Sequence, residues 1–227
     1  MADRVKRRPY QSPRRAAAAA QTKADIVAAA HKMFLDAGYE RTTLPAVAEA
    51  AGVSVATVKA IFANKPGLVW AVRDVALAGD AERAPVEQRD WYRAILDEHD
   101  PDAKLGAFAG SVAAIHSRVA DIHRLVRDAS ASDEEMAALW RLEHEQRRQG
   151  MEPVAESLRR QGTLRRGLDL EPAVNTLWVL SSPETYWLLT DVAGWSVATY
   201  TAWLHRAMLH AMCEHNDPRR AQRGTRR

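Results

Sequence analysis

The residues whose types and spacing indicate a chemical role lie between Thr43 and Lys65, in the stretch TLPAVAEAAGVSVATVKAIFANK. Apolar residues recur at helical spacing from Leu44 to Ala51. Gly52 follows, where glycine most easily adopts the left-handed conformation that ends a helix. A second short helix with its own apolar face comes directly after this turn. Two short helices joined by a glycine-containing turn form a helix-turn-helix, which places its second helix in the major groove of DNA.

Side chains of several kinds in this stretch are suited to contact DNA. The hydroxyls of Ser54 and Thr57 can bond phosphate or base edges, small apolar side chains can meet a thymine methyl, and Lys59 can contact a phosphate. Thr43 and Lys65 lie at helix N-termini, where free backbone amides and the helix dipole favour phosphate. The predicted DNA contacts are Thr43, Ser54, Val55, Ala56, Thr57, Lys59, Ala60 and Lys65.

Two of these contacts have a simpler interpretation as helix caps. Thr43 and Ser54 stand immediately before the two helices, where a hydroxyl can accept a hydrogen bond from a free backbone N–H. Capping and DNA contact can coexist. The inward face of the second helix is predicted to consist of Val58, Ile61 and Phe62.

The elements that position these residues are predicted to be helices throughout. A first helix over residues 16–37, ended by Gly38, joins the helix-turn-helix to make a three-helix head. The further predicted helices cover residues 66–78, 86–98, 101–115, 118–130, 133–161, 171–190 and 196–214. The predicted fold class is therefore all-α, with an N-terminal helix-turn-helix DNA-binding head and a C-terminal helical bundle for ligand binding and dimerisation.

The charge distribution favours a division into a basic head and an acidic body. Residues 1–72 hold 11 Lys and Arg against 5 Asp and Glu, whereas residues 73–215 hold 16 against 23. A basic module is the electrostatic footprint of a polyanion partner. The predicted domains are a disordered basic arm (1–15), a helix-turn-helix DNA-binding domain (16–65), an all-helical ligand-binding and dimerisation domain (66–215) and a disordered basic tail (216–227). The arm either adds phosphate contacts or is a solvated leader.

The motifs around the helix-turn-helix resemble the TetR family of transcriptional regulators. The matching pieces are an Ala-rich first helix that ends in FLDAGYERTT, followed by AVAEAAGVS, ATV, IF and NK. The rest of the chain is similar to the family's all-helical regulatory domain in size and helix pattern. One departure lies in the second helix. Many members carry a tyrosine there, and this chain has Lys59, Ala60 and Ile61, so the operators of relatives do not transfer to it.

The resemblance implies a ligand-responsive regulator of transcription. Such a protein is a repressor that leaves a palindromic operator on double-stranded DNA when a small-molecule effector binds among its C-terminal helices. The resemblance also implies a homodimer formed through the last two long helices. Apolar residues surround those helices on several sides, which independently favours a partner, and Pro183 should kink the first of them. The candidates for the dimer interface are Leu177, Tyr200, Trp203, Leu204 and Met208.

The candidates for the ligand pocket are large or polar side chains at core-facing positions, because ligand sites are mostly apolar clefts with a few polar groups. They are Phe108, His116, Trp140, His144, Trp178 and Trp187. Each of these residues can equally be core packing. The charged residues of the segment 133–161, among them Glu143 and Arg147, are expected to lie on a solvated face.

Other functional classes lack a signal in the sequence. His116 and His123 lack the i, i+4 spacing with which two histidines share one ion, so neither a metal site nor a cofactor is predicted. Without a P-loop or a nucleophile motif, the protein is expected not to be an enzyme. No apolar run approaches a membrane span, and with Cys213 as the single cysteine a cytoplasmic protein is expected. The remaining alternatives are a DNA-binding protein without ligand control and, less favoured, an all-helical enzyme.

Overall fold

Residues 13–79 and 89–213 are described by a computed structural model. Within these ranges every regular element is helical, apart from one antiparallel bridge between Leu164 and Cys213. The predicted all-α fold class is therefore confirmed. Most of the predicted arm and the whole predicted tail, 216–227, lie outside the described residues. The last residues of the predicted arm are helical, because the first helix already begins at Pro13.

The helices follow one another along two units of the chain. In order they are α1 (Pro13–Arg41), α2 (Leu44–Ala50), α3 (Val55–Phe62), α4 (Lys65–Ala78), α5 (Asp90–Asp97), α6 (Pro101–Ala129), α7 (Glu134–Arg160), α8 (Leu170–Leu180), α9 (Pro183–Trp187), a π-helical turn (Leu188–Val192) and α10 (Val197–Met212). The chain divides into two compact units between Arg73 and Asp74, inside α4. The boundary predicted after residue 65 coincides instead with the start of this helix. No single helix in the described ranges is both long and apolar enough to cross a membrane.

The first unit, or head, contains a break in α1 at Gly38, where the sequence predicts the end of a helix. Gly38 has a φ of 80°, a left-handed angle that other residues rarely adopt. The buried Thr42 stabilises the break, because its hydroxyl donates to the Gly38 carbonyl at 2.8 Å. Apolar side chains from α1 to α4 fill the interior of the head: Ile26, Val27, Ala30, Phe34, Val47, Ala48, Val58, Phe62, Leu68, Val69 and Val72.

The second unit is a bundle built along the long helices α6 and α7. Helix α10 packs against α6, and α8 packs against α7. The predicted break between residues 115 and 118 is wrong, because α6 continues through His116 and Ser117, neither of which restricts the helical backbone. The core of the bundle includes Leu105, Phe108, Ala109, Val112, Val154, Leu158, Leu177, Tyr200, Leu204, Met208 and Met212.

The predicted single helix over residues 171–190 is also wrong. Helix α8 ends at Leu180, and α9 begins at Pro183, because proline is favoured in the first turn of a helix. Ser182 is the N-cap of α9, and its hydroxyl accepts from the backbone N–H of Thr185 at 3.0 Å. Pro183 therefore starts a new helix and does not kink an existing one.

Four of the five predicted dimer-interface residues are core residues of the bundle. Leu177, Tyr200, Leu204 and Met208 have no exposed surface within the single chain, because α8 and α10 direct these side chains into the bundle core. A side chain without exposed surface cannot contact a second subunit directly, so these four predictions are wrong. Only Trp203 is partly exposed, and its ring lies 6.1 Å from that of Tyr200.

Lys104 of α6 is a buried charge with three hydrogen-bond acceptors around it. Its Nζ donates to the Leu96 carbonyl at 2.9 Å, to Gln161 Oε1 at 2.8 Å and to the hydroxyl of Ser157. Burial lowers the pKa of Lys104, and the charge of Arg160 acts in the same direction. The ammonium thus joins the end of α5 to α6 and to the end of α7.

Replacing Lys104 should destabilise the bundle. We expect Lys104→Ala to lower the free energy of unfolding by about 2–4 kcal/mol, because the change removes buried, charge-assisted hydrogen bonds and leaves acceptors unpaired. Urea denaturation followed by circular dichroism measures this difference. Arg160→Ala, at an exposed site nearby, should change stability by less than about 0.5 kcal/mol. Equal effects of the two changes would show that Lys104 contributes no more than a surface residue.

His116 of α6 is a second buried polar group in the bundle. It is 4% exposed, and its Nε2 lies 2.8 Å from the carbonyl oxygen of Ser181. Burial lowers the pKa of His116 to about 3, and the charges of Arg147 and His123 act in the same direction, while the bond to Ser181 opposes them. The imidazole is therefore neutral in the folded protein at neutral pH, so Nε2 donates its proton to Ser181.

The depressed pKa of His116 predicts a loss of stability in acid. Between about pH 6.5 and about pH 3, His116 is protonated in the unfolded chain but stays neutral in the folded chain. In this window His116 should lower the free energy of unfolding by up to about 1.4 kcal/mol per pH unit as the pH falls. Urea denaturation at several pH values measures the slope. His116→Leu should make it shallower, whereas Val112→Ala, a buried change without a proton, should leave it as in the wild type. An unchanged slope in His116→Leu would contradict the assignment.

Candidate DNA-binding interface and bundle interior

Helices α2 and α3 form the predicted helix-turn-helix. The two helices are bent by 110° relative to one another, within the range typical of this motif. Thr43 caps α2 through a hydrogen bond from the Ala46 N–H at 3.3 Å, and Ser54 caps α3 through one from the Thr57 N–H at 3.0 Å. The capping roles are therefore confirmed, and they fix where each helix begins.

The outer surface of α3 carries most of the predicted DNA contacts. Ala56, Lys59 and Ala60 are exposed, and Val55 and Thr57 are half-buried. The hydroxyls of Ser54 and Thr57 lie 2.8 Å apart and share one hydrogen bond, so one hydroxyl hydrogen of the pair remains for another acceptor. Polar and small groups thus share the face that would meet a groove.

Ile61 was predicted to face inward, and this prediction is wrong. Val58 is fully buried and Phe62 is 7% exposed, whereas Ile61 is 38% exposed. Helix α3 has only about two turns, and two side chains are enough to fill its inward face. Ile61 follows Thr57 by one turn and extends the outer face with an apolar side chain. The i, i+4 relation to Thr57 is the signal in the sequence that identifies it.

Lys65 is engaged within the head. Its Nζ donates to the Tyr39 carbonyl at 3.0 Å and lies 3.9 Å from the centre of the Tyr39 ring. Tyr39 directly follows the break at Gly38, so Lys65 helps to connect that break to the start of α4. Phosphate binding by Lys65 stays a prediction, and any phosphate would share the ammonium with Tyr39.

The predicted pocket residues of the bundle fall into separate places. Trp140 and Trp187 line one small cleft, together with Ala120, His123, Arg124, Arg127, Pro183 and Glu184. The volume of this cleft is about 10 Å³, which is room for about one water molecule. The ring of His144 is tilted against that of Trp140, with ring centres 3.9 Å apart, and lies 5.9 Å from the ring of Trp178. Phe108 lies in the apolar core and does not border the cleft.

A group of polar side chains lies in the bundle interior behind His123. Nδ1 of His123 is 3.0 Å from Glu143 Oε2, and both side chains are buried. Nη2 of Arg147 donates to the carbonyl oxygens of Ser181 at 3.0 Å and Trp178 at 3.2 Å. We call His116, His123, Glu143, Arg147 and Tyr200 the polar interior.

The polar interior was missed at the level of sequence. Glu143 has no exposed surface and most of Arg147 is buried, so the predicted solvated face does not include them. Glu143 and Arg147 are four residues apart on α7, and His116 and His123 are seven residues apart on α6, so each pair lies on one face of its helix. These two spacings are the signal in the sequence that could have identified the group. Among the described residues no set of three or more His, Cys, Asp or Glu side chains could hold a metal ion.

Comparisons with known proteins agree with this architecture. A family model described as bacterial regulatory proteins, tetR family, matches residues 26–72. No curated protein matches the sequence significantly. Among solved structures, NalD, the secondary repressor of the MexAB-OprM multidrug efflux pump in Pseudomonas aeruginosa, is 21% identical with a TM-score of 0.66, covering 87% of this chain and 99% of its own.

Two further structures share the fold. SmeT in complex with triclosan is 22% identical with a TM-score of 0.63, over 86% of this chain and 93% of its own. A TetR transcription regulator from Haloarcula marismortui is 16% identical with a TM-score of 0.63, over 86% of this chain and 100% of its own. The head therefore matches the family model of the tetR regulators over residues 26–72, and the chain shares the fold of these solved structures over most of its length.

Proposed function

We propose that this regulator is a homodimeric repressor that leaves its operator when a small molecule binds in the bundle. The observation that carries the proposal is the polar interior, a group of hydrogen-bonding side chains enclosed by aromatic rings beside the cleft at Trp140 and Trp187. A bundle whose only role is structural gains little from such a group, because buried polar atoms cost free energy unless they are paired. The repressor NalD and the triclosan complex of SmeT support the same reading by analogy.

The second candidate is a DNA-binding regulator without ligand control. Fluorescence anisotropy with the DNA upstream of the protein's own gene, against a scrambled duplex of equal length, tests specific binding. We expect specific binding that a small apolar compound reverses. Specific binding that no compound in a broad panel reverses would favour the second candidate, and equal affinity for both duplexes would contradict an operator in that DNA.

DNA contact by α3 is proposed to depend on the exposed Lys59. Replacing Lys59 with alanine should weaken binding to specific and scrambled DNA alike, since a phosphate contact carries no sequence information. The slope of log K against log salt concentration should become shallower by about 0.9 for the lost contact. Salt titrations by anisotropy measure both effects.

Lys32→Ala is the matched control for this experiment. Lys32 is exposed on α1 and pairs with Asp36, so Lys32→Ala removes the same charge from a different helix of the head. The salt slope of Lys32→Ala should equal that of the wild type. Equal slopes for all three proteins would exclude a phosphate contact by Lys59. Lys65→Ala is less informative, because it also removes the contacts with Tyr39.

Dimerisation is proposed to use the exposed apolar side chains of the last helical segments. Val179 of α8 is 56% exposed, Leu188 and Val192 of the π-helical turn are 50% and 63% exposed, and Val197 of α10 is 43% exposed. These residues replace the buried set predicted from sequence. Together with the half-buried Trp203 they supply apolar surface that a second subunit can cover.

A charge in this surface should separate the subunits. We expect the double change Leu188→Asp and Val192→Asp to shift the protein from dimer to monomer in sedimentation velocity and to weaken operator binding, because half-sites are read by paired heads. Leu35→Asp, which places a charge at a similarly exposed apolar site of the head, should leave the dimer intact. A double variant that sediments as a dimer would show that the interface lies elsewhere.

A further inference from the structure

The bundle interior holds several polar atoms without a hydrogen-bond partner. Within the described ranges these include Nδ1 of His116, Nη1 of Arg147, Nε1 of Trp178 and the hydroxyl of Tyr200. Tyr200 is fully buried and His116 is 4% exposed, so bulk water does not reach them. Buried polar groups are nearly always paired in folded proteins, and each exception needs a partner such as a water or a ligand.

Three of these atoms belong to the side chains of His116, Arg147 and Tyr200, which lie in one group. His116 and Arg147 both contact the Ser181 carbonyl, at 2.8 and 3.0 Å. The ring of Tyr186 lies 5.6 Å from that of His116 and 5.0 Å from that of Tyr200. Helices α6, α7, α9 and α10 thus contribute to one group. The unpaired atoms of His116, Arg147 and Tyr200 come from three of these helices, α6, α7 and α10, and Tyr186 of α9 lies between two of them.

The unpaired atoms indicate what a ligand must offer. The guanidinium and the phenol supply N–H and O–H donors, and burial raises the pKa of Tyr200, so its hydroxyl keeps the proton. Nδ1 of His116 is an acceptor, because the proton of this imidazole is on Nε2, so the two donors are the atoms that specify the ligand oxygen. The complementary group is an oxygen acceptor. The aromatic ring of Tyr186 lies beside both His116 and Tyr200 in this group.

The local charge decides between an ionised and a neutral acceptor. Arg147 lies within the electrostatic influence of two carboxylates, Glu184 and Glu143. One guanidinium beside two carboxylates leaves no excess positive charge for an anion. An added carboxylate would bring a further negative charge into a site of low dielectric, which is costly. A neutral oxygen receives the same hydrogen bonds without this cost.

We propose that the effector is a neutral, compact aromatic compound with a carbonyl oxygen, which accepts hydrogen bonds from Arg147 and Tyr200. This inference rests on the proposed ligand control and specifies the chemistry of the same site. The ligand reaches the polar interior through the cleft lined by Trp140 and Trp187, whose wall includes His123. The ring of His123 lies 6.5 Å from that of His116, which connects the cleft to the interior. Because the cleft holds about one water, these side chains must move apart on binding.

Three compounds of similar size separate the possibilities: acetophenone, with a neutral carbonyl; benzoate, with an ionised carboxylate; and ethylbenzene, without oxygen. We expect equilibrium dialysis of the full-length protein at neutral pH to show acetophenone bound at least about tenfold more tightly than either of the others. Tighter binding of benzoate would overturn the inferred charge, and equal binding of ethylbenzene would overturn the inferred oxygen. No binding of acetophenone would overturn the proposal.

Variants test whether Arg147 and Tyr200 are the donors responsible for the preference for acetophenone over ethylbenzene. Arg147→Met and Tyr200→Phe should each remove most of the preference for acetophenone over ethylbenzene while leaving ethylbenzene binding unchanged. Tyr200→Phe removes only one oxygen, so it keeps the test valid if Arg147→Met does not fold. Arg127→Met, at the cleft and beside Trp187, is the control and should keep the preference. Loss of the preference in Arg127→Met alone would place the oxygen at the cleft and contradict the inference.

The outcome for ligand control is read separately, by operator anisotropy. If acetophenone binds with the expected preference but never releases DNA, the ligand chemistry holds and the proposed ligand control fails. If compounds without oxygen release DNA while acetophenone does not bind, ligand control holds and the inferred chemistry fails.

Discussion

The carbonyl of Ser181 is the constraint around which the bundle interior is arranged. Pro183 starts a new helix, and the short connection leaves this carbonyl outside helical hydrogen bonding with later residues. His116 from α6 and Arg147 from α7 satisfy it, so one helix break holds side chains from two other helices at fixed positions. Without the break, His116 would lose its acceptor and Arg147 one of its two carbonyl partners, and burial of both side chains would be more unfavourable.

In the head, too, backbone carbonyls at a helix break accept hydrogen bonds from side chains, here beside the helix-turn-helix. A glycine breaks α1, and the freed carbonyls are satisfied by Thr42 and Lys65. Capping hydroxyls then set where α2 and α3 begin. The outcome is a short helix, α3, with a fixed start and an exposed outer face. In each unit, backbone groups released at a helix end are the points that position the side chains proposed to act.

The fold was predictable because its signals are local. Helical spacing, capping hydroxyls and glycine stops lie within a few residues of the features they predict, and the helix-turn-helix is where they are densest. The predictions were wrong where the three-dimensional packing, and not the local sequence, determines which side chains are buried. Ile61 follows helical spacing but faces out, because a helix of two turns needs few inward side chains. The apolar segment around Pro183 was predicted to be one helix, but α9 begins at this proline and forms a separate helix.

The bundle site was the hardest part to predict. Glu143 and Arg147 lie in a charged sequence that is typical of a solvated face. They become part of the polar interior only because α6 brings two histidines opposite them. Pairing across helices is a long-range property. The spacing of Glu143 and Arg147 indicates that they share a face of α7, but it does not show which helix lies opposite that face. The apolar dimer candidates failed for the related reason that helical spacing identifies a buried face without identifying what buries it.

The central claim is that the polar interior is a binding site and not a structural feature of the bundle. A crystal structure of the full-length protein, purified without added compounds and then soaked with acetophenone, tests it most directly. We expect density for the aromatic compound, with its carbonyl oxygen within hydrogen-bond distance of Arg147 Nη1 and the Tyr200 hydroxyl. Protein groups or a single water satisfying both atoms, with no density from the compound, would contradict it.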